Sequence, residues 1–203
     1  MRLIMSKIKI SYKTHPWLLK IAAIGGILFF ASIFTVFLGD LVFYTATALC
    51  LALFFNGFIS LGFKYKNNKF ILLSCLHIIL TALLFLIPLR GNWSLLQISL
   101  YSIWVGFFGI SFGKLKIFLS KPVKILLIIF TIGIILFSIT MFLTLPDHPM
   151  TRPQVEAVYL NPQNINFVFS FVPLLISELA IFTTHILMII IFFVESGKPH
   201  KRQ

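Results

Sequence analysis

Fifteen of the seventeen Lys and Arg residues fall in four clusters, and long apolar segments keep those clusters apart. The clusters are Arg2/Lys7/Lys9/Lys13/Lys20, Lys64/Lys66/Lys69, Lys114/Lys116/Lys121/Lys124 and Lys198/Lys201/Arg202. Only Arg90 and Arg152 lie elsewhere, in the alternate connections. Positive charge on every second connection is the pattern that the positive-inside rule gives for a multi-pass helical membrane protein. The expected fold class is therefore all-α, a polytopic membrane protein of six transmembrane helices in three antiparallel hairpins, with both termini cytoplasmic.

A hydrocarbon core ~30 Å thick needs about 20 apolar residues in a helix. The segments that meet this length are Trp17–Leu38, Leu41–Phe63, Phe70–Pro88, Trp93–Gly113, Val123–Leu145 and Phe167–Val194. Residues 1–16 then form a basic cytoplasmic segment, 17–194 the membrane domain and 195–203 a basic cytoplasmic tail. The run from Ile21 to Leu38 exceeds a signal-peptide core and ends at Gly39-Asp40 without an A-x-A-like site, so it reads as a retained first span. The external connections are a tight turn at Gly39-Asp40, the turn Leu89–Asn92 and the loop Pro146–Asn166. Hairpins beginning near Ile21, Phe70 and Lys124 suggest three copies of a two-helix unit.

Composition agrees with a lipid environment. The chain is 59% hydrophobic and 11% charged, with a mean hydropathy of +1.03, whereas a soluble domain carries about 25% charged residues. A net charge of +12 does not imply nucleic acid, because the basic clusters border apolar runs and do not line a groove or alternate with exposed aromatics. Their expected partner is the bilayer itself, through anionic headgroups at the cytoplasmic face, at about 1 kcal/mol per residue. Cys50 and Cys75 both lie in apolar runs without a CxxC neighbour, so no disulfide framework is implied.

Ionisable residues at membrane depth are costly and mark function by default. His77, Glu178 and His185 are the three that qualify. Glu178 and His185 are seven residues apart, and so share a helix face about 10 Å apart along the axis. A carboxyl near imidazoles reads either as a proton relay, since burial moves both group types towards neutrality, or as interhelical hydrogen bonding. Asn56, Thr81, Gln97, Thr183 and Thr184 read as interhelical hydrogen-bonding groups. No third ligand has the spacing of a metal site.

The external loop 146–166 carries four prolines, which exclude a long regular helix, together with Asp147, His148, Arg152 and Glu156. It reads as an ordered surface loop, or as a lid over an external vestibule. Small residues that permit close helix approach in lipid occur as Ala22-xxx-Gly26 and Gly109-xxx-Gly113, with Gly57 and Gly133 in two further spans. They suit packing within the bundle, or contact with a second copy. P-loop, GxSxG, HExxH and Asp-rich motifs are missing. With five acidic residues in the chain, neither an enzyme nor a cofactor is expected.

Several stretches resemble the HdeD family of small bacterial inner-membrane proteins. They are Gly25-Gly26-Ile27-Leu28, Leu53-Phe54-Phe55-Asn56-Gly57-Phe58-Ile59-Ser60-Leu61, Gly106 with Gly109, and Ser177-Glu178-Leu179-Ala180-Ile181-Phe182. The resemblance implies six spans in three hairpins and a non-enzymatic role in envelope function or acid-stress tolerance. It transfers no catalytic residue, and the proline-containing loop 146–166 departs from the short turn of that family. Two other readings stand beside it. One is a small transporter or channel component, such as the substrate-binding membrane subunit of a vitamin uptake system. The other is an accessory subunit that docks to a larger membrane complex through Gly109-xxx-Gly113.

Overall fold

A computed structural model describes residues 16–86, 92–115, 117–144 and 165–198. Among them are six α-helices: α1 Pro16–Ser32, α2 Asp40–Lys64, α3 Asn68–Leu86, α4 Asn92–Gly113, α5 Ser120–Thr144 and α6 Ile165–Gly197. The fold is all-helical, as the hydropathy pattern predicts. Four segments are long and apolar enough to cross a membrane: Val42–Lys64, Trp93–Gly113, Ser120–Phe142 and Phe171–Gly197. Large apolar side chains such as Phe37 (86% exposed) cover the outer faces. In water such patches would aggregate, whereas lipid solvates them.

The first apolar segment departs from the expected uniform helix. α1 stops at Ser32 and the chain tightens into a 3₁₀ helix over Ile33–Leu38. Hydroxyls explain the change, because Ser and Thr that bond locally compete with the α-helical ladder. Ser32 Oγ donates to the carbonyl of Phe29 (2.7 Å), and Thr35 Oγ1 donates to that of Ser32 (2.6 Å). Ser32 Oγ also lies 3.2 Å from Thr47 Oγ1 on α2. The expected tight turn follows: Gly39, at φ +106°, occupies a backbone region closed to most side chains and caps the start of α2.

The described residues form two compact units. The first holds those up to Ile71 together with those from Phe192 onward, and the second spans Leu72–Ile191.

In the first unit, α1 and α2 pack antiparallel through small residues. A Cβ on Gly25 would lie 2.6 Å from Leu53 Cβ and 3.0 Å from the backbone nitrogen of Phe54. A Cβ on Gly57 would meet Ala22 Cβ at 2.6 Å and the ring of Phe192. Phe54, Phe58 and Phe192 gather around this gap, with both Phe192 contacts at 5.5 Å between ring centres and edge-on. Ala22 and Gly26 are both buried.

In the second unit each helix packs against the next in sequence. α3 meets α4 at His77–Phe108 and Thr81–Tyr101. α4 meets α5 through three glycines: a Cβ on Gly106, Gly109 or Gly113 would each lie 2.8 Å from Thr131, Leu127 or Lys124. α5 meets α6 where a Cβ on Gly133 would stand 2.8 Å from the carbonyl oxygen of Pro173. The closest pairing in this unit, α4 with α5, therefore joins the second and third of the expected hairpins and does not lie within one. It also covers Gly109 and Gly113, so the glycine face proposed for docking a partner is occupied by α5. The second external turn and the 146–166 loop, with Asp147, His148, Arg152 and Glu156, fall outside the described residues apart from their last or first helical positions.

Candidate functional site

Two groups of polar side chains stand out, one in each unit. The first gathers where α2 and α6 end. The chain leaves α2 through a three-residue turn in which Lys66 N–H bonds the Phe63 carbonyl (3.1 Å) and Asn67 N–H bonds that of Gly62 (2.9 Å). This is the Schellman closure, which satisfies carbonyls left over at a helix C-terminus. It places Lys66 at φ +51°, a left-handed position normally given to glycine. Asn67 then caps α3 by accepting the Phe70 N–H on its side-chain oxygen at 3.0 Å. A turn satisfied at both ends fixes where Lys64 and Tyr65 point.

They point at Glu195, whose side chain is 0% exposed. Lys64 Nζ lies 3.1 Å from Oε2 of this carboxylate and is itself 11% exposed. Tyr65 donates its hydroxyl to the same oxygen at 2.6 Å, and Lys198 Nζ sits 2.5 Å from Oε1. Lys64 additionally donates to the backbone carbonyl of Glu195 and, at 3.4 Å, to that of Lys198. A cation is thus placed where α6 exposes unpaired carbonyls and the negative end of its dipole. Burial, with the hydrogen bond and charge of Glu195 added, pushes the Tyr65 phenol above its ordinary value. The arrangement fastens two helix ends. Nothing in it resembles a nucleophile with its base, since Glu195 is fully engaged by three donors.

The second unit carries several buried hydroxyls and the imidazole of His77. His77 is buried at 7% exposure and stacks on Phe108 (4.6 Å, 16°) and on Tyr101 (5.9 Å, 13°). Thr81 donates to the His77 carbonyl (2.8 Å) and shares a 2.9 Å hydrogen bond with the Tyr101 hydroxyl. Thr131 on α5 donates across to the Ser102 carbonyl on α4 at 2.8 Å. Ser177 donates to the carbonyl of Pro173 at 2.8 Å, one turn below a proline that has no N–H for the preceding turn. Trp104 Nε1, Ser138 Oγ and Thr184 Oγ1 are buried without a hydrogen-bond partner among the described residues. Such atoms are uncommon in folded proteins, and each carries a desolvation cost.

The three residues singled out at depth are not assembled into one relay. Glu178 lies on the exposed outer side of α6 and makes no hydrogen bond or ion pair with any described residue. His77 is enclosed between rings, and His185 is half-buried. Of the hydroxyls expected to bond between helices, Thr81 does so, whereas Thr183 turns back to the carbonyl of Leu179 on its own helix (2.8 Å). No group of three His, Cys, Asp or Glu side chains suited to a metal ion occurs among the described residues. Cys50 and Cys75 are both free thiols.

Sequence reasoning missed the Glu195 cluster, using that residue only to mark where the last span ends. The signal was present: of five acidic residues, Glu195 is the one that adjoins a basic cluster at a span boundary. In comparisons with known proteins, no family model, no curated protein and no solved structure matches the chain.

Proposed function

We propose that this chain is a non-enzymatic integral membrane protein of six spans, with both termini on the cytoplasmic side of a bacterial inner membrane, and that it supports envelope function under acid stress. The observation that carries the non-enzymatic reading is the use made of polar groups at depth. Thr81, Thr131 and Ser177 bond helix carbonyls, and the buried carboxylate of Glu195 is engaged by Lys64, Tyr65 and Lys198. The Thr131–Ser102 and Thr81–Tyr101 bonds and the Glu195 cluster fasten one helix to another, which is a structural use of these polar groups. Six spans are supported by length. α3 has 19 residues, about 28 Å at 1.5 Å per residue. α1 has 17, but its 3₁₀ continuation of six residues adds about 12 Å at ~2 Å each. The resemblance of residues 25–28, 53–61 and 177–182 to HdeD proteins supplies the acid-stress element.

Two measurements test this. Single cysteines placed at Lys20, Lys66 and Lys198 should react with a membrane-impermeant maleimide only after the cytoplasmic face is opened. Labelling of any of them in intact cells would overturn the topology. Survival of an acid challenge should fall when the gene is deleted and recover on complementation. Unchanged survival would remove the stress role.

A second reading, a component that handles a small polar ligand, is favoured by the orphaned atoms of Trp104, Ser138 and Thr184 in the second unit. Proton flux in dye-loaded proteoliposomes separates it from the first. Flux above that of empty vesicles, abolished by His185→Ala, would promote the transport reading.

A further inference from the structure

The exposed side of α6 carries Val172, Leu175, Leu179, Phe182 and Ile186. Their spacing alternates three and four residues, the seam of a left-handed two-helix coil. Two exposed polar side chains flank this seam, Glu178 directly before Leu179 and Thr183 directly after Phe182. In heptad terms the seam residues take the a and d positions, Glu178 a g position and Thr183 the following e position. When two such helices run parallel, a g residue of one lies beside the e residue five positions further along the other. Glu178 and Thr183 are separated by five.

We infer that the outer face of α6 is a homodimer interface, in which α6 of a second copy packs parallel along this seam and each Thr183 hydroxyl turns from the Leu179 carbonyl of its own helix to donate to the partner's Glu178 carboxyl. The inference rests on the membrane reading above, and it follows from the placement of Glu178 and Thr183, since the exposed faces of α4 and α5 repeat the same apolar spacing without a carboxyl. A carboxyl on the outside of a membrane helix is costly unless it finds a polar group. Glu178 has no partner within its own chain among the described residues. Two copies inserted with the same orientation place their α6 helices parallel and at the same depth, so the two complementary groups meet twice across a two-fold axis. The Lys and Arg residues of the chain lie at span ends or in the connections, so a second copy offers Glu178 no Lys or Arg at its depth, and a hydroxyl is the complement available. Because the face is apolar, helix contact in lipid depends on packing along the seam, and the polar bonds set register.

The test is disulfide cross-linking of the full-length chain in native membranes, in a background where Cys50 and Cys75 are alanine. Leu179→Cys and Phe182→Cys should yield covalent dimer, and Phe107→Cys, exposed on α4, should not. Glu178→Leu and Thr183→Val should each lower the dimerisation constant about tenfold, the equivalent of two modest interhelical hydrogen bonds in lipid. The double variant should be no weaker than either single one, since both remove the same bonds. Cross-linking at Leu179→Cys no greater than at Phe107→Cys would overturn the inference, and so would full dimerisation by Glu178→Leu. Carbonate extraction of the same samples measures membrane integration separately. A chain that remains integrated but monomeric refutes the interface alone, whereas one released by carbonate refutes the membrane reading beneath it.

Discussion

Removing Lys64 should harm the protein more than removing Lys64 and Glu195 together restores by ordinary additivity, and the size of that discrepancy follows from burial. Glu195 has a side chain that is 0% exposed and Lys64 one that is 11% exposed. Deleting one member of a buried ion pair leaves the other charge without water and costs about 3–5 kcal/mol. Lys64→Met belongs near the lower limit, about 3 kcal/mol, because Lys198 and Tyr65 still contact the carboxylate. Glu195→Met should cost about 2 kcal/mol, since Lys64 keeps the two carbonyls at the end of α6. Replacing a whole buried pair by apolar side chains is often close to neutral. The double variant therefore loses chiefly those two carbonyl bonds, at ~1 kcal/mol each. The expected double-variant loss is about 2 kcal/mol, some 3 kcal/mol better than the singles taken together. Reversible unfolding in mixed micelles of increasing dodecyl sulfate content, followed by tryptophan fluorescence, measures all four corners of the cycle. A double variant as damaged as the sum of its singles would show that Lys64 and Glu195 act independently and would refute the reading of one coupled fastening.

Gly57→Ala should destabilise by about 1–3 kcal/mol in the same assay, because its Cβ meets the Phe192 ring and Ala22 together. Gly25→Ala should cost at least as much, since one of its close neighbours is the backbone of Phe54, which cannot rotate away. Thr131→Val should lose about 0.6 kcal/mol, the mean for an interhelical hydrogen bond in a membrane protein, since its hydroxyl reaches the Ser102 carbonyl on α4. Ultraviolet titration of the phenols should show a component above the ordinary tyrosine value of about 10 that disappears in Tyr65→Phe. A phenol held protonated by the fold stabilises it fully below the unfolded value and ceases to do so as pH rises through the folded one. On the alkaline side, the α2–α6 fastening should accordingly hold until strong alkali.

The helices were legible because hydropathy over twenty residues integrates many weak preferences into one signal. The starts at Asp40, Asn68 and Asn92 each fall within two residues of the expected spans for that reason. The 3₁₀ segment after Ser32 was not legible, since it depends on which carbonyl a hydroxyl chooses, and hydropathy does not register that choice. The Glu195 cluster was hidden by distance along the chain: Lys64 and Tyr65 precede their partner by 131 and 130 residues. Glu178 is a different case. Its presence at depth was plain, but its direction was not, because lipid accepts an apolar outer face and the polar residues Ser177, Glu178, Thr183, Thr184 and His185 do not by themselves declare which face of α6 is inward. The buried residues Ser177, Ala180, Thr184 and Met188 settle the phase, and with it the outward position of Glu178. In lipid the sequence rule of soluble proteins loses its force, since both faces of a helix may be equally hydrophobic. What then distinguishes the faces is the small and polar residues: glycines where another helix of the same chain approaches and, on the dimer inferred above, an outward carboxyl with a hydroxyl five residues on.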